Sequence, residues 1–285
     1  MAYRCVVLVK QVPDTKRITG QAMNEDGTVN RAALPAIFNP EDLNALELAL
    51  QIKDRYGGHI TVLTMGLPTA AQVLREALYR GADEAILITD RRCAASDTLA
   101  TSYILSCAVR KLDYDLVLCG RQAIDGDTAQ VGPQTAEKLG LPQITYVEEL
   151  ISLDGDVITA RRNIGNGWQE VRARLPILLT VIDEANEPRI ASAKRLMKYK
   201  KAKVPAECGD KTEMKALEDR GLLIGQWDLD ALEADLAWCG REGSPTKVHR
   251  IQSVVLTARE TRQVEPTQEG INTLVHTLIE DHTIG

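Results

Sequence analysis

Residues 118–143, LCGRQAIDGDTAQVGPQTAEKLGLPQ, combine features that suit a small polar ligand. The stretch begins as an apolar strand, ends as a helix, and has three glycines and two aspartates but no lysine in the connecting loop. Gly120 and Gly126 allow close approach to the backbone, and free N–H groups around 128–131 attract phosphate. Asp125 suits ribose hydroxyls better than phosphate, because two anions repel each other. The residues alone leave two alternatives open, a nucleotide-binding loop and a glycine-rich turn.

The loop lacks both standard phosphate-binding motifs. It has neither GxxxxGK[ST] nor GxGxxG, and without a lysine it disfavours a nucleotide-hydrolysing protein that acts alone. Its helix has two possible starts. Asp127 could cap the helix, with Gln130 completing a capping box. Alternatively, Gly132-Pro133 could begin it, since Pro133 disrupts a helix that runs from Thr128.

The elements that position this loop alternate between strands and helices. Helices are predicted after Asn39-Pro40, from a capping box over Thr69 to Gln72, and after an N-cap at Asp97. Apolar runs predict strands at 4–10, 59–65, 84–89 and 115–120. This alternation favours an α/β fold with a doubly wound, mostly parallel sheet, in which ligands bind at the carboxyl ends of strands. Four segments are expected to meet there: 9–11, 39–42, 65–66 and 120–131.

The second half of the chain predicts a different arrangement. Turn signals at Asp154-Gly155 and Gly165-Asn166-Gly167 predict an antiparallel extension of the sheet. Its strands are expected at 144–153, 157–163, 168–175 and 177–182. Helices are predicted at 228–240 and 267–281, with an extended surface segment at 241–265 between them. A turn is also expected at Asp26-Gly27.

Composition argues against several classes of function. The chain has 285 residues, a net charge of -6 and 4% aromatic residues, so nucleic-acid binding is disfavoured. No apolar run is long enough to cross a bilayer, and the start, MAYRCVVLVKQVPD, lacks the features of a signal peptide. A cytoplasmic protein is therefore expected. Six cysteines without a CxxC pair and four scattered histidines indicate reduced thiols and no metal site.

Four segments of the chain, in the same order, resemble electron transfer flavoprotein β subunits. Cys119 to Pro142 is similar without gaps to the adenine-nucleotide loop of that family. The others are VKQVPD at 9–14, FNPEDLNALELALQIKD at 38–54 and NEPRIASAKRLMKYKKA at 186–202. The resemblance implies a Rossmann-like nucleotide- or flavin-binding domain at 1–203. It also implies a C-terminal arm at 204–285 that packs on an α subunit, which holds the electron-carrying FAD of the heterodimer.

The nucleotide in the β subunit differs between the two branches of this family. Oxidative members bind AMP, whereas electron-bifurcating members bind a second FAD. Thr89 to Ser102, TDRRCAASDTLATS, resembles the bifurcating members, which have a similar Asp-Thr-Leu-Ala-Thr at this helix start. From the residues alone, Asp97 is more simply an N-cap, with Thr98 and Thr101 as ordinary first-turn residues. In the alternative, all three hydrogen-bond a ribityl chain or an isoalloxazine edge, and the resemblance favours this FAD-binding interpretation over AMP.

The resemblance to the bifurcating branch implies a route for electrons. NADH would give a hydride to the β-bound flavin, and the electrons would pass singly to the α-bound FAD and to a low-potential carrier such as ferredoxin or flavodoxin. The protein would supply position and electrostatics, so no catalytic acid, base or nucleophile is expected. The residues predicted to bind the nucleotide are Val9, Asn39, Asp42, Met65, Gly66, Gly120, Arg121, Gln122, Ala123, Asp125, Gly126, Asp127, Thr128, Ala129, Gln130 and Val131, with Asp97, Thr98 and Thr101 at the flavin end.

A basic stretch within the recognition segment 186–203 has two interpretations. Lysines and arginines crowd residues 194–203 of an acidic chain, which is usually a solvated surface. It could also be a docking patch, because positive charge speeds encounter with an acidic partner. The resemblance implies docking to a dehydrogenase or reductase, such as an acyl-CoA dehydrogenase. The predicted contacts are Ala193, Lys194, Arg195, Leu196, Met197 and Lys198. Oxidative members have a leucine anchor in place of Ala193, which argues against their usual contact.

Overall fold

The structure, a computed structural model, describes residues 2–14, 34–247 and 263–280. Within these ranges the strands are β1 Tyr3–Leu8, β2 Gln11–Pro13, β3 Ala36–Phe38, β4 Gly58–Met65, β5 Glu84–Ile88, β6 Leu116–Gly120, β7 Gln143–Asp154, β8 Val157–Asn163, β9 Trp168–Arg174, β10 Ile177–Val181 and β11 Gly225–Trp227. The helices are α1 Pro40–Tyr56, α2 Ala71–Arg80, α3 Thr98–Val109, α4 Val131–Leu139, α5 Ala193–Tyr199, α6 Lys211–Glu218 and α7 Gln268–Glu280.

A sheet of nine described strands organises the structure. The strand order is β11-β5-β4-β1-β6-β10-β7-β8-β9. All pairings from β11 to β7 are parallel, whereas β8 and β9 continue from β7 in antiparallel pairing. The prediction of a mostly parallel α/β sheet with an antiparallel extension is therefore confirmed, but β10, which was expected in that extension, lies between β6 and β7 and pairs with both in parallel. The short strands β2 and β3 form a separate antiparallel pair.

Helices cover both faces of the parallel part, which explains its continuous apolar strands. In β1, Cys5 and Val7 belong to a hydrophobic cluster that includes residues of α1 and α2. Val6 and Leu8 belong to a second cluster, with residues of α3 and α4. Alternate residues of a strand point to opposite faces, so a strand covered on both sides needs apolar residues throughout.

Two helices begin where the sequence predicts, but the residue before each helix has a different role. α1 begins at Pro40, but the Asn39 side chain does not cap it. α3 begins at Thr98, and the Asp97 carboxylate accepts a hydrogen bond from the Ala100 N–H at 3.0 Å. Asp97 is thus an N-cap, as its residue type indicates, whereas the Asn39 side chain is directed elsewhere.

Both predicted capping boxes are wrong. A 3₁₀ turn at Pro68–Ala70 precedes α2, which begins at Ala71 without a side-chain cap. Pro68 fixes its own φ and therefore starts this turn before Thr69 can act as a cap. α4 begins at Val131, because Asp127 and Ala129 have φ of 46° and 52° and lie outside the helical region. Of the two predicted starts, the one at Gly132-Pro133 is closer.

The helix predicted at 228–240 is also wrong. This segment consists of successive turns and a 3₁₀ turn at Leu236–Trp238, with Glu233 at a φ of 53°. Leu229 and Leu232 are buried as an amphipathic helix would require, but Leu236 is 46% exposed. The preceding strand β11, which the sequence did not predict, pairs with β5 at the edge of the main sheet. The sheet therefore continues beyond the predicted domain boundary at residue 203.

The predicted final helix agrees with α7, Gln268–Glu280. Its apolar residues are exposed, with Ile271 at 49% and Ile279 at 50%, and its packing on an α subunit remains a prediction. Among the described residues, no helix has the length and apolar character needed to cross a membrane. The predicted Asp26-Gly27 turn and residues 248–262 of the predicted extended segment lie outside the described residues.

Candidate nucleotide-binding site

The four segments expected to meet at the carboxyl ends of the strands lie together in the structure. β1, β4 and β6 run parallel, so the residues that follow them reach the same edge of the sheet. The start of α1 lies against this edge. Asp42 on that helix accepts hydrogen bonds from the backbone N–H of Lys10, at 2.9 Å, and of Gly120, at 2.8 Å. One carboxylate thereby joins the end of β1 to the end of β6.

Asp42 is buried, and each of its oxygens accepts one of these bonds. Burial raises the pKa of Asp42 to about 7, although the backbone N–H of Gly120, the Asn39 side chain and the backbone N–H of Lys10 oppose the shift. The side chain therefore positions the loop by hydrogen bonding. Its predicted direct contact with a nucleotide remains a prediction.

Asn39 has a similar positioning role. Its side chain is fully buried. The amide nitrogen donates to the carbonyl of Gln122 at 2.8 Å, and the amide oxygen accepts from the N–H of Ile124 at 3.1 Å. These two bonds replace a helix cap and fix the first residues of the loop to the start of α1.

Glu41, which no sequence motif singled out, completes the set of α1 residues that support the loop. Its carboxylate lies 2.5 Å from the Arg121 guanidinium and accepts the Gln122 N–H at 2.9 Å. Burial raises the pKa of Glu41, although the Gln122 N–H and Arg121 act in the opposite direction. The Arg121 guanidinium also lies 5.6 Å from the centre of the Tyr146 ring, which ties the loop to β7.

A lysine does reach the loop, but from a different strand end. Lys10 Nζ lies 2.7 and 2.8 Å from the two carboxylate oxygens of Asp125. Lys10 is exposed and Asp125 half-buried, so this ion pair borders solvent. It compensates the negative charge that would repel a phosphate group. Lys10 falls within the segment expected at this edge, and the signal for it was its position directly after β1.

The second half of the loop has an unusual backbone conformation and backbone N–H groups without partners among the described residues. Asp127 and Ala129 both have left-handed backbone conformations, which are sparsely populated by non-glycine residues and frequent at functional sites. Within the part of the chain that the structure describes, the N–H groups of residues 128–131 donate no hydrogen bond to a protein group. They lie at the N-terminus of α4, where free N–H groups bind anions.

The two loop glycines differ in their surroundings. A Cβ atom on Gly120 would lie 2.6 Å from the Asp42 Oδ1 atom and 2.8 Å from the Asp42 nitrogen. Gly120 is therefore required by the close packing of α1. A Cβ atom on Gly126 would meet nothing within 4 Å. No described protein atom approaches Gly126 closely, so the space beside its backbone is open at the surface of the loop.

One of the three predicted flavin-end residues contacts the far end of the loop. Thr98 Oγ1 donates to the side-chain oxygen of Gln130 at 2.8 Å, and Gln134 donates to the same hydroxyl at 3.4 Å. The Asp97 carboxylate does not bond to the loop. One of its oxygens caps α3, and the other accepts a hydrogen bond from the N–H of Thr246 at 2.9 Å. Thr101 is half-buried one turn along α3. Thr98 is therefore the member of this group that lies at the loop.

The remaining predicted cleft residues contribute mainly backbone. Val9 is buried, and its N–H donates to the Leu63 carbonyl at 2.9 Å. Met65 and Gly66 are half-buried after β4, and Gly66 donates to the Ile88 carbonyl at 3.0 Å. Val9 is thus part of the hydrophobic core, while Met65 and Gly66 lie at the carboxyl end of β4.

The recognition segment contains α5, and its cations are not equivalent. Arg195 donates to the carbonyl of Leu78 at 2.6 Å and to that of Ala82, so it fixes α5 to the end of α2. Lys198 Nζ lies 4.6 Å from the centre of the Tyr199 ring. The other predicted contact residues are exposed: Ala193, Lys194, Leu196 and Met197.

The fold and site define an α/β protein in which a loop with free backbone N–H groups, rather than a P-loop lysine, lies at the carboxyl edge of a mostly parallel sheet. A family model described as "Electron transfer flavoprotein domain" matches residues 26–207. Electron transfer flavoprotein subunit beta of Clostridium acetobutylicum is 43% identical over 279 residues, covering 98% of this chain and 99% of the relative. The subunit beta of Thermoanaerobacterium thermosaccharolyticum is 46% identical over 244 residues, covering 85% of each chain.

A relative with a different name has a similar degree of identity. The acryloyl-CoA reductase electron transfer subunit gamma of Anaerotignum propionicum is 40% identical over 289 residues, covering 99% of this chain and all of the relative. This chain belongs to the electron transfer flavoprotein family. The resemblance drawn from four segments of the sequence is therefore confirmed.

Proposed function

We propose that this chain is the β subunit of a heterodimeric electron transfer flavoprotein, that it binds FAD at the carboxyl edge of its sheet, and that the complex performs electron bifurcation from NADH. The observation that carries the FAD assignment is the contact of Thr98 with Gln130. It extends the polar wall of the cleft from the phosphate-binding end of the loop to the start of α3. An adenine mononucleotide does not need this extension.

The residues present fit such a ligand. Free N–H groups at residues 128–131 suit a diphosphate. Lys10 compensates Asp125, which lets that carboxylate face ribose hydroxyls without repelling the phosphates. The hydroxyl of Thr98 and the amides of Gln130 and Gln134 can donate to or accept from the hydroxyls of a ribityl chain.

The protein contributes position and electrostatics. Asn39, Glu41 and Asp42 hold the loop in one place before any ligand binds, which lowers the entropic cost of binding. When bound, FAD would supply the redox chemistry, accepting a hydride from NADH and releasing single electrons towards the α-subunit FAD and a ferredoxin or flavodoxin. None of the described cleft residues is proposed as an acid, base or nucleophile.

A second candidate is an oxidative-branch β subunit with structural AMP, which assists electron exchange between a dehydrogenase and the α-subunit FAD. The observation that favours it is the use of both Asp97 oxygens by backbone N–H groups of Ala100 and Thr246. Asp97 then acts only as a cap, and the anion-binding loop by itself would hold AMP.

Nucleotide content tests the proposal directly. The chain is co-expressed with its α partner, the purified complex is denatured, and released FAD and AMP are quantified by chromatography. Two FAD and no AMP per heterodimer would support the proposal. One FAD and one AMP would overturn it in favour of the oxidative alternative.

The electron route needs a separate measurement. Anaerobic addition of NADH to the complex should bleach the absorbance of the β-bound FAD, and reduction of ferredoxin or flavodoxin should require a simultaneous high-potential acceptor. A complex that contains two FAD but does not react with NADH would retain the cofactor assignment and exclude NADH as the donor. Electron exchange with an acyl-CoA dehydrogenase alone would support the oxidative route.

A further inference from the structure

A basic cavity lies outside the nucleotide cleft. It has a volume of about 530 Å³ and lies between α2, the segment after α5, and α6. Five cationic side chains and two carboxylates line it, with only Ala202, Ala216 and Leu217 as apolar lining. The charged lining residues are Arg75, Lys200, Lys201, Lys203, Arg220, Glu207 and Glu213.

Both carboxylates of the cavity are already paired. Glu207 lies 2.9 Å from Arg75 and accepts the N–H of Val204 at 3.1 Å. Glu213 lies 2.6 Å from Lys203 and also accepts a backbone N–H at the start of α6. These two pairs fix the walls of the cavity, and they leave neither carboxylate to neutralise another cation.

Three cations remain uncompensated. Lys200, Lys201 and Arg220 form no ion pair with any described carboxylate, and Lys200 Nζ contacts only the Met197 sulfur at 3.5 Å. They stand together in a chain whose net charge is -6. A recess lined by charges of one sign concentrates its field on a ligand of the opposite sign. The cavity therefore selects a compact anionic group.

The surroundings indicate a protein segment as the occupant rather than a nucleotide. No aromatic ring lines the cavity, so a base has nothing to stack on. The three unpaired cations are exposed rather than convergent and buried, unlike the polar groups of small-molecule sites. The cavity is continuous with α5, since Lys200 directly follows Tyr199. The exposed Leu196 and Met197 of α5 would contact the same partner.

We infer that this cavity receives acidic side chains from a segment of the redox partner that docks on α5. The inference rests on the proposed electron-transfer function and adds the chemistry of the partner: an Asp- or Glu-rich segment beside an apolar contact. The site joins residues 200 and 201 of the recognition segment to Arg220, which lies in the predicted C-terminal arm.

The test uses the intact αβ heterodimer and a fluorescein-labelled polyglutamate peptide, with binding followed by fluorescence anisotropy. The variant Lys201→Glu/Arg220→Glu is compared with Lys211→Glu/Lys215→Glu. The control has the same change of net charge on exposed residues of the same region, but Lys211 and Lys215 do not line the cavity. Thermal unfolding of both variants checks that they are folded.

We expect the cavity variant to bind the peptide about tenfold or more weakly at low salt, and the control to change less than about twofold. Binding to the unmodified complex should also weaken as added salt shortens the Debye length. Equal losses in both variants would overturn the inference, since they would indicate a general charge effect. So would cavity-dependent binding of inorganic tripolyphosphate without peptide binding, which would indicate a small-anion site. The FAD and AMP content of the same preparation reports separately on the proposed function.

Discussion

Replacing the buried Asp42 by asparagine tests whether this carboxylate positions the nucleotide loop. Each Asp42 oxygen accepts one backbone N–H, from Lys10 and from Gly120. Asparagine keeps one acceptor and turns an NH₂ group towards the other N–H. A buried N–H that loses its partner costs about 1–3 kcal/mol. At pH 5, the variant should therefore be less stable by at least this amount.

The difference in stability between the two proteins should depend on pH, because the unmodified protein should lose stability as the pH rises. Burial raises the pKa of Asp42 from 3.8 to about 7, so between these values the folded state holds a proton that the unfolded state releases. The stabilising contribution is complete below pH 3.8 and is lost as the pH rises to about 7. Each pKa unit corresponds to about 1.4 kcal/mol, so the unmodified protein should lose roughly 3 kcal/mol between pH 5 and pH 8.

Asparagine does not titrate, and the variant should lack this loss. The raised pKa of Glu41 adds a loss of the same sign, but Glu41 is present in both proteins and largely cancels in the comparison. Urea unfolding of the purified complex at pH 5, 6.5 and 8, followed by tryptophan fluorescence, measures the difference. Asp113→Asn removes a carboxylate whose side chain is 84% exposed and serves as the control.

A stability difference that is the same at pH 5 and pH 8 would refute the reasoning. It would mean that Asp42 titrates near its ordinary pKa and that the field of the α1 N-terminus, with its two hydrogen bonds, outweighs desolvation. The reasoning would be supported if the difference in free energy of unfolding changed by about 3 kcal/mol in favour of the variant between pH 5 and pH 8.

Three further substitutions test individual parts of the cleft. Gly120→Ala should destabilise the complex by about 1–3 kcal/mol in urea unfolding, because the new Cβ atom would lie 2.6 Å from the Asp42 carboxylate. Lys10→Ala should weaken nucleotide rebinding about threefold to tenfold by calorimetry, because Asp125 loses its counter-charge at an exposed site. Thr98→Val should speed release of FAD about fivefold in stopped-flow measurements and leave AMP binding unchanged, because the bond to Gln130 is lost.

Each substitution has a matched control in the chain. Gly126→Ala adds the same methyl group where nothing lies within 4 Å, so a loss equal to that of Gly120→Ala would contradict the packing argument. Lys111→Ala breaks an ion pair with Glu233 outside the cleft and should leave nucleotide affinity unchanged. Thr159→Val makes the same Thr-to-Val change on β8. If it changed FAD release as much as Thr98→Val does, a specific role for Thr98 would be excluded.

Local sequence patterns are enough to predict the architecture and the position of the loop. Continuous apolar strands such as β1 and β6 predict burial on both faces, and Asn39-Pro40 and Asp97 mark the starts of α1 and α3. These signals depend on neighbouring residues in the chain, so they can be read without knowing the fold. The same locality explains the two wrong capping boxes, since a favourable residue type does not reveal which backbone conformation it adopts.

The roles of the side chains around the loop depend on contacts between distant parts of the chain. Asn39 is of a residue type that favours helix caps, but its side chain instead forms a hydrogen bond with the carbonyl of Gln122, 83 residues away. The loop has no lysine, yet Lys10 pairs with Asp125 across 115 residues. The partners of a polar side chain are the groups that lie near it in the folded structure. A local sequence pattern does not indicate which strand ends will be neighbours. The sequence therefore predicted which segments meet at the candidate site, and only the folded chain showed that Asn39 and Asp42, two of the predicted ligands, hold the loop in place.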